Sequence, residues 1–141
     1  MAAATSITRA HQIVLAAVDD ALRPFELTFA RYEALVLLLF SRRGSMPLGK
    51  MGTRLMVHPT SVTNIVDRLE EQAFVARVPH PTDRRTTLAE LTDTGRRVAE
   101  QATKAVTGVA FGLGMLTERE LRQLTRIVRK IRLSVGDFGA G

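Results

Sequence analysis

A polar turn between two short extended segments constrains the fold of this chain most strongly. Residues 75–79 (VARVP) and 86–91 (TTLAEL) favour extended backbone, and Pro81 marks the start of the turn between them. The turn ends in Arg84 and Arg85. The pattern predicts a β-hairpin that carries two arginines at its tip.

The segment before the hairpin predicts two helices joined by a short turn. Pro47 is expected at the first position of one helix, where its missing N–H does no harm, and Pro59 at the start of the next. One apolar stripe with spacing i, i+3, i+4 and i+7 runs along the second helix, formed by Val62, Ile65, Val66 and Leu69. Residues 56–58 are the turn of this helix-turn-helix. With the hairpin, the layout is that of a winged helix, whose second helix can lie in the major groove of DNA.

Three threonines mark the starts of the remaining helices after the first. Thr28 is expected to cap one helix, and Thr92 a long helix over about residues 93–115. Thr117 and Glu120 have the spacing of a capping box, which starts the last helix. The chain between the hairpin and its end is therefore predicted to be helical.

The helices at the two ends of the chain lie outside the winged helix. Residues 6–22 and about 93–135 carry apolar stripes that one chain cannot fully bury, and pairing with a second copy would cover them. We therefore expect a mainly α fold with a small β-hairpin wing, forming one domain over residues 1–141. About residues 28–91 would form the DNA-binding winged helix, and the terminal helices a dimerisation region. A homodimer would set two reading helices about one DNA turn apart.

The composition fits a folded protein with a polyanionic partner. Hydrophobic residues make up 45% of the chain and charged residues 24%, which argues against disorder. The net charge of +6 suits nucleic acid but does not locate the contact. There is no cysteine, so disulfides, thiol-based redox sensing and cysteine-ligated metals are excluded. The longest apolar run, residues 34–40, is too short to span a bilayer, and no signal peptide is evident. We expect a cytoplasmic protein with no membrane partner.

The residues expected to contact double-stranded DNA are Thr60, Ser61, Thr63, Asn64, Arg68, Arg84 and Arg85. Short polar side chains let a helix sit deep in a groove, and asparagine can pair with adenine at two points. Guanidinium groups suit a narrow minor groove, and Asp83 is expected to orient Arg85. The alternatives are capping and solvated surface for the helix, and a solvated charged turn for the hairpin. For Arg68, a phosphate contact and an ion pair with Asp67 or Glu71 both stay open.

The sequence predicts no metal site, no cofactor and no enzyme activity. His11, His58 and His80 are scattered without a neighbouring carboxylate cluster. No Ser/His/Asp set, paired carboxylates in a cleft or glycine-rich phosphate loop is evident. The candidates for lining a small-molecule pocket are His11, Phe29, Arg31 and Tyr32. For His11, which lies on an apolar face, the more common alternative is a packed and hydrogen-bonded histidine.

Residues 48–95 resemble the multiple-antibiotic-resistance regulator (MarR) family of winged-helix transcription factors. The similar segments are residues 51–57 (MGTRLMV), 59–70 (PTSVTNIVDRLE), 74–77 (FVAR), 81–85 (PTDRR) and 91–95 (LTDTG). The resemblance implies a homodimer that binds a pseudo-palindromic operator, usually as a repressor, and that often releases DNA when a small aromatic ligand binds. Ala73 departs from the pattern, since the family often has glycine there. A left-handed backbone at Ala73 would cost on the order of 1 kcal/mol.

One alternative function stays open at this point. A winged helix can serve as a protein–protein interaction module without specific DNA binding. The polar helix face and the two arginines of the hairpin argue against that alternative, whereas weak, sequence-blind DNA affinity would favour it.

Overall fold

The computed structural model describes residues 1–137, so residues 138–141 of the predicted domain lie outside the described residues. The fold is mainly helical with a small antiparallel sheet, as the sequence predicts. Its elements are α1 (Ala2–Leu22), α2 (Phe29–Leu39), β1 (Ser45–Pro47), α3 (Leu48–Leu55), α4 (Pro59–Glu71), β2 (Val75–Pro79), β3 (Thr87–Leu91), α5 (Asp93–Gly108) and α6 (Glu118–Leu133). Within the described range, no helix combines the length and the apolar character needed to cross a membrane.

Threonine side chains begin three of the helices, as predicted. The Thr28 hydroxyl accepts a hydrogen bond of 3.4 Å from a backbone N–H of the first turn of α2. Thr92 accepts one of 2.9 Å at the start of α5. Thr117 and Glu120 make both hydrogen bonds of a capping box at α6. Each cap satisfies an N–H that has no partner within its helix. α1 begins at Ala2, earlier than the predicted residue 6, because its first residues are alanines, which favour helix.

The sheet contains a strand that the sequence pattern does not reveal. β3 pairs antiparallel with both β1 and β2, which gives the order β1-β3-β2. The prediction that Pro47 is the first residue of a helix is wrong: Pro47 is the last residue of β1, opposite Leu88, and α3 begins at Leu48. Proline is tolerated in β1 because β1 is an edge strand. A strand of three residues is too short to show an alternating pattern.

The long helix predicted over residues 93–115 is interrupted. α5 ends at Gly108, and residues 110–112 have positive φ angles of 50°, 51° and 73°. This left-handed turn brings the chain against α1, where a Cβ on Gly112 would stand 2.7 Å from Cβ of Ala17. Glycine therefore suits this position both by its conformation and by its size. The apolar pattern predicts a continuous helix and gives no sign of this turn or of its close packing against α1.

The core lies between α2 and α4 and the inner sides of α1 and α5. Its buried side chains include Val18, Leu22, Leu35, Leu38, Val62, Ile65, Val66, Leu69, Ala99, Ala102 and Val106. The predicted stripe of α4 is buried in full, which confirms its orientation. Gly52 of α3 allows close approach to α4, since a Cβ there would lie 3.0 Å from Cγ2 of Val62. The opposite face of α4 consequently points outward.

The terminal helices expose large apolar side chains. α6 has no buried residue in the single chain. Leu124, Ile127 and Ile131 on α6 are 41%, 56% and 52% exposed, and Ile13 on α1 is 61% exposed. Exposed apolar surface that is shared by several side chains is typical of an interaction face.

Candidate nucleic-acid interface

The start of α4 is fixed by a histidine and a proline. Nδ1 of His58 accepts a hydrogen bond of 3.1 Å from the backbone N–H of Thr60, so His58 acts as the N-terminal cap. Pro59 occupies the first helical position, where its missing N–H needs no partner. The capping role of His58 is absent from the sequence predictions, because histidine is an uncommon cap.

The first two turns of α4 present a polar face to solvent. The buried stripe of α4 fixes its rotation, so the side chains of Thr60, Ser61, Thr63 and Asn64 are exposed. The Thr63 hydroxyl donates to the carbonyl of Pro59 at 3.2 Å, which leaves its oxygen able to accept from a ligand. A shallow surface is lined by Pro59, Thr60, Thr63, Asn64 and Asp67. Four of the predicted DNA-contact residues are thus neighbours on one exposed face.

The turn between β2 and β3 is held by hydrogen bonds to Asp83. Its Oδ1 atom accepts from the backbone N–H of Arg85 at 3.0 Å, and its Oδ2 atom accepts from the hydroxyl of Thr86 at 2.9 Å. These bonds to the charged form, the first foremost, lower the pKa of the Asp83 carboxyl. Asp83 therefore contacts the backbone of Arg85 rather than its guanidinium. Arg84 and Arg85 are both exposed at this wing tip.

His80 is a second histidine whose role the sequence does not reveal. Its Nδ1 atom accepts from the backbone N–H of Thr82 at 3.2 Å and from that of Asp83 at 3.0 Å. It stands at the start of the wing turn, immediately after β2. The wing turn is thus held by hydrogen bonds to two side chains, those of His80 and Asp83.

Arg68 makes one of the two contacts that the sequence leaves open. Its Nη1 atom lies 3.2 Å from Oε2 of Glu71, and the two side chains are 59% and 65% exposed. An ion pair this exposed contributes little to stability. Arg68 can therefore exchange Glu71 for a phosphate at small cost.

Arg77 of β2 joins the wing to α4, a role that the sequence predictions miss. Nη2 of Arg77 lies 2.6 Å from Oδ1 of Asp67, and Nη1 lies 3.3 Å from Oε1 of Glu70. The backbone N–H of Arg77 also donates to Oε2 of Glu70 at 2.9 Å. Asp67 and Glu70 are three residues apart and so share one face of α4, but their spacing does not indicate that Arg77 of β2 lies against that face.

The end of α4 is shaped by Ala73. Its φ angle is 60°, so the left-handed backbone considered from the sequence is present. The N–H groups of Ala73 and Phe74 donate to the carbonyls of Glu70 and Leu69, each at 2.9 Å, which is the Schellman pattern. This turn directs the chain from α4 into β2, and it sets the direction in which the wing departs.

The predicted pocket residues are only partly brought together. The rings of Phe29 and Tyr32 stack with centroids 6.5 Å apart. Tyr32 is buried, and its hydroxyl lies 2.9 Å from Oγ1 of Thr103 on α5. Arg31 lines an open groove that neither of these rings lines. His11 is exposed on α1 and is not part of that groove.

The histidines and carboxylates of residues 1–137 do not assemble a metal site, since no three side chains among His, Cys, Asp and Glu lie close enough together there to hold a metal ion. The two histidines near the candidate interface instead accept backbone N–H groups.

Comparison with known proteins identifies the family. The sequence model of the MarR family matches residues 29–87. Sco5413, a MarR family transcriptional regulator from Streptomyces coelicolor, is 52% identical, with a TM-score of 0.92 over 98% of this chain and 96% of that chain. Sco3205, a MarR family regulator from the same species solved in complex with DNA, is 26% identical, with a TM-score of 0.79 over 90% and 81% of the two chains. CouR from Rhodococcus jostii RHA1, solved bound to p-coumaroyl-CoA, is 27% identical, with a TM-score of 0.76 over 89% and 87%. This chain therefore belongs to the MarR family of transcriptional regulators.

Proposed function

We propose that this protein is a homodimeric repressor that binds a pseudo-palindromic operator and releases it when a small aromatic ligand binds. Membership of the MarR family makes the chain a DNA-binding transcriptional regulator and not an enzyme. The proposal rests above all on the outward polar face of α4, which lies opposite a fully buried stripe. In this proposal α4 is the recognition helix.

The proposed DNA contacts divide between the recognition helix and the wing. Asn64 would read an adenine by a two-point hydrogen bond in the major groove, with contacts to bases or phosphates from Thr60, Ser61 and Thr63. Arg68 would bind a phosphate after leaving Glu71. The wing tip would place Arg84 and Arg85 in the adjacent minor groove, where the negative potential is strongest when the groove is narrow. Sco3205, a relative of the same fold, is solved in complex with DNA.

The homodimer is supported by the unpartnered apolar surface of the terminal helices. α6 buries no residue within its own chain, although Leu124, Ile127 and Ile131 are large apolar side chains. A second copy related by a two-fold axis would cover this surface with the same surface of its own. The two recognition helices would then face successive major grooves on one side of the duplex, matching two half-sites.

Release by a ligand is proposed as a change in the distance between the two recognition helices. Only one dimer geometry would fit both half-sites, and coupling of about 1–3 kcal/mol between the sites suffices for such control. The stacked pair Phe29 and Tyr32 lies at the junction of α2 and α5, and Arg31 offers a positive charge nearby in sequence. The relative CouR is solved bound to an aromatic acyl thioester, p-coumaroyl-CoA. An aromatic carboxylate or thioester is therefore the ligand class to screen first.

Selection from a pool of randomised DNA duplexes tests the proposed function. We expect enrichment of two half-sites with approximate dyad symmetry, spaced by about 10 base pairs or a multiple of it. Sedimentation of the complex is expected to show two chains on each duplex. A single half-site occupied by one chain would contradict the homodimer. No enriched sequence at all would favour the protein-interaction alternative.

Two further assays separate the regulatory parts of the proposal. In transcription in vitro from a promoter that overlaps the selected site, added protein is expected to lower the amount of transcript, and an increase would make it an activator. A panel of aromatic carboxylates, beginning with salicylate, is expected to contain a compound that weakens DNA binding at least about fivefold. Unchanged affinity across the panel would contradict release by such ligands.

A further inference from the structure

The Arg77 side chain is more covered than those of four other arginines that form ion pairs. It is 27% exposed, whereas Arg23, Arg68, Arg122 and Arg132 in their pairs are 77%, 59%, 72% and 50% exposed. Solvent and salt screen a half-covered pair less than an exposed one. Arg77 also contacts two carboxylates with its side chain and one of them again with its backbone. Several contacts in different directions fix the orientation of β2 relative to α4, whereas a single exposed ion pair would not.

The backbone contact has a specific consequence for the wing. β2 is an edge strand of the sheet, with β3 on one side. The N–H of Arg77 donates to the Glu70 carboxylate, so the recognition helix satisfies a backbone donor on this edge. β2 is therefore hydrogen-bonded to β3 and, through Glu70, to α4. Two elements proposed to touch different grooves of DNA are joined at this point.

The contact also lies directly beside the proposed reading face. Asp67 lines the same shallow surface as Thr60, Thr63 and Asn64. A change in the position of Asp67 relative to β2 would alter the distance from the reading face to the wing tip. Without Arg77, moreover, Asp67 and Glu70 would present two uncompensated negative charges near the phosphates.

We propose that Arg77 is a positioning residue that locks the wing to the recognition helix, so that both reach DNA at one fixed separation. This inference rests on the proposed function, because the separation matters only if α4 and the wing bind the same duplex. Arg77 acts through Asp67 and Glu70 and is not itself a proposed DNA contact. Loss of the Arg77 side chain is therefore expected to reduce the preference for the operator sequence more than it reduces the affinity for DNA of any sequence.

The test compares the native dimer with two variants on a duplex selected by the native protein and on a scrambled duplex. Arg77→Gln is expected to lower the preference for the selected duplex about tenfold, equivalent to about 1.4 kcal/mol. The triple variant Asp67→Asn/Glu70→Gln/Arg77→Gln removes both carboxylates as well, so it carries no uncompensated negative charge. It is expected to lose preference to the same degree. Arg122→Gln, which removes an equal charge and an exposed ion pair on α6, is the control and is expected to match the native protein.

Hydrogen exchange of the free proteins supplies a readout that does not depend on DNA. The backbone amides of β2 are expected to exchange at least about tenfold faster in Arg77→Gln than in the native protein, with unchanged helix content by circular dichroism. Unchanged exchange in β2 would overturn the lock itself.

The DNA titrations distinguish the remaining outcomes. If Arg77→Gln keeps the native preference for the selected duplex, the positioning role is overturned. It is also overturned if the triple variant regains the native preference, because charge compensation alone would then explain the loss in Arg77→Gln. If the native protein itself shows no preference, the proposed function fails and the DNA role of Arg77 fails with it. In that case, the exchange measurement still decides whether Arg77 joins the wing to α4.

Discussion

The backbone N–H of Arg85 donates a hydrogen bond of 3.0 Å to the carboxylate of Asp83 at the tip of the wing. The other oxygen of that carboxylate accepts from the hydroxyl of Thr86. A negative charge beside DNA would by itself oppose binding. The carboxylate also holds the backbone on which the guanidinium groups of Arg84 and Arg85 are carried. In the proposed complex, this structural contribution would offset its charge.

Removal of the Arg85 side chain tests the proposed wing contact. Arg85→Ala is expected to weaken binding to the selected duplex more than tenfold, by about 1.4 kcal/mol or more, because it deletes a guanidinium from the minor groove. The dimer is expected to remain intact in sedimentation. Arg119→Ala on α6, which removes the same charge at an exposed position, is the matched control. Equal affinities of the Arg85 variant and the native protein at moderate salt would refute the contact.

The lowered pKa of Asp83 predicts how the wing responds to acid. Hydrogen bonds from the Arg85 amide and the Thr86 hydroxyl stabilise the charged carboxylate, so its pKa falls below the ordinary value of 3.8. Asp83 therefore contributes to the order of the wing at any pH above its ordinary pKa, and this contribution is lost as the pH falls through the lowered pKa. An NMR titration of the Arg85 amide proton is expected to have its midpoint below 3.8. The transition is expected to vanish in Asp83→Asn, whose side chain does not titrate. A midpoint at or above the ordinary value in the native protein would contradict the hydrogen bonds from Arg85 and Thr86 to the Asp83 carboxylate.

The left-handed alanine after the recognition helix predicts a stabilising substitution. Ala73 has a φ angle of 60°, and its side chain is exposed. Ala73→Gly is expected to raise the free energy of unfolding by about 1 kcal/mol, because glycine adopts this conformation without steric cost. Urea denaturation at a fixed protein concentration measures the change, since the stability of a dimer depends on concentration. Ala105→Gly inside α5 is the control and is expected to lower stability by about 1 kcal/mol. Destabilisation by Ala73→Gly would argue against the Schellman turn.

A charge on the apolar side of α6 tests the proposed dimer. Ile131 is 52% exposed in the single chain, so a folding defect is not expected from its replacement. Ile131→Glu is expected to raise the dimer dissociation constant at least about a hundredfold, since it removes about 1.5–3 kcal/mol of apolar burial and places a charge in the interface. Sedimentation equilibrium measures the constant, and Lys130→Glu at the adjacent exposed position is the control. A native protein that stays monomeric would contradict the dimer directly.

Local patterns of the sequence predict the recognition helix and the wing well. The stripe from Val62 to Leu69 follows the helical period, and a strand pair with a polar turn follows the helix, so both elements can be identified without tertiary information. The threonine caps are equally local, because each involves residues three apart.

The remaining features depend on contacts between separate segments. β1 forms because Met46 lies opposite Ala89, far away in sequence, and its three residues show no period. The ion pair of Asp67 with Arg77 joins residues ten apart and exists only once the wing has folded back on α4. The pocket candidates come from different helices, so spacing alone does not place His11 relative to Tyr32.

A fluorescence-anisotropy titration tests the central claim most directly. The native protein would be titrated against a selected duplex and its scrambled counterpart at two salt concentrations, about 50 and 200 mM. A site-specific regulator is predicted to prefer the selected duplex at least about a thousandfold at the higher concentration. Equal affinities for both duplexes, falling steeply and in parallel with salt, would leave only phosphate attraction and would contradict sequence-specific regulation by this protein.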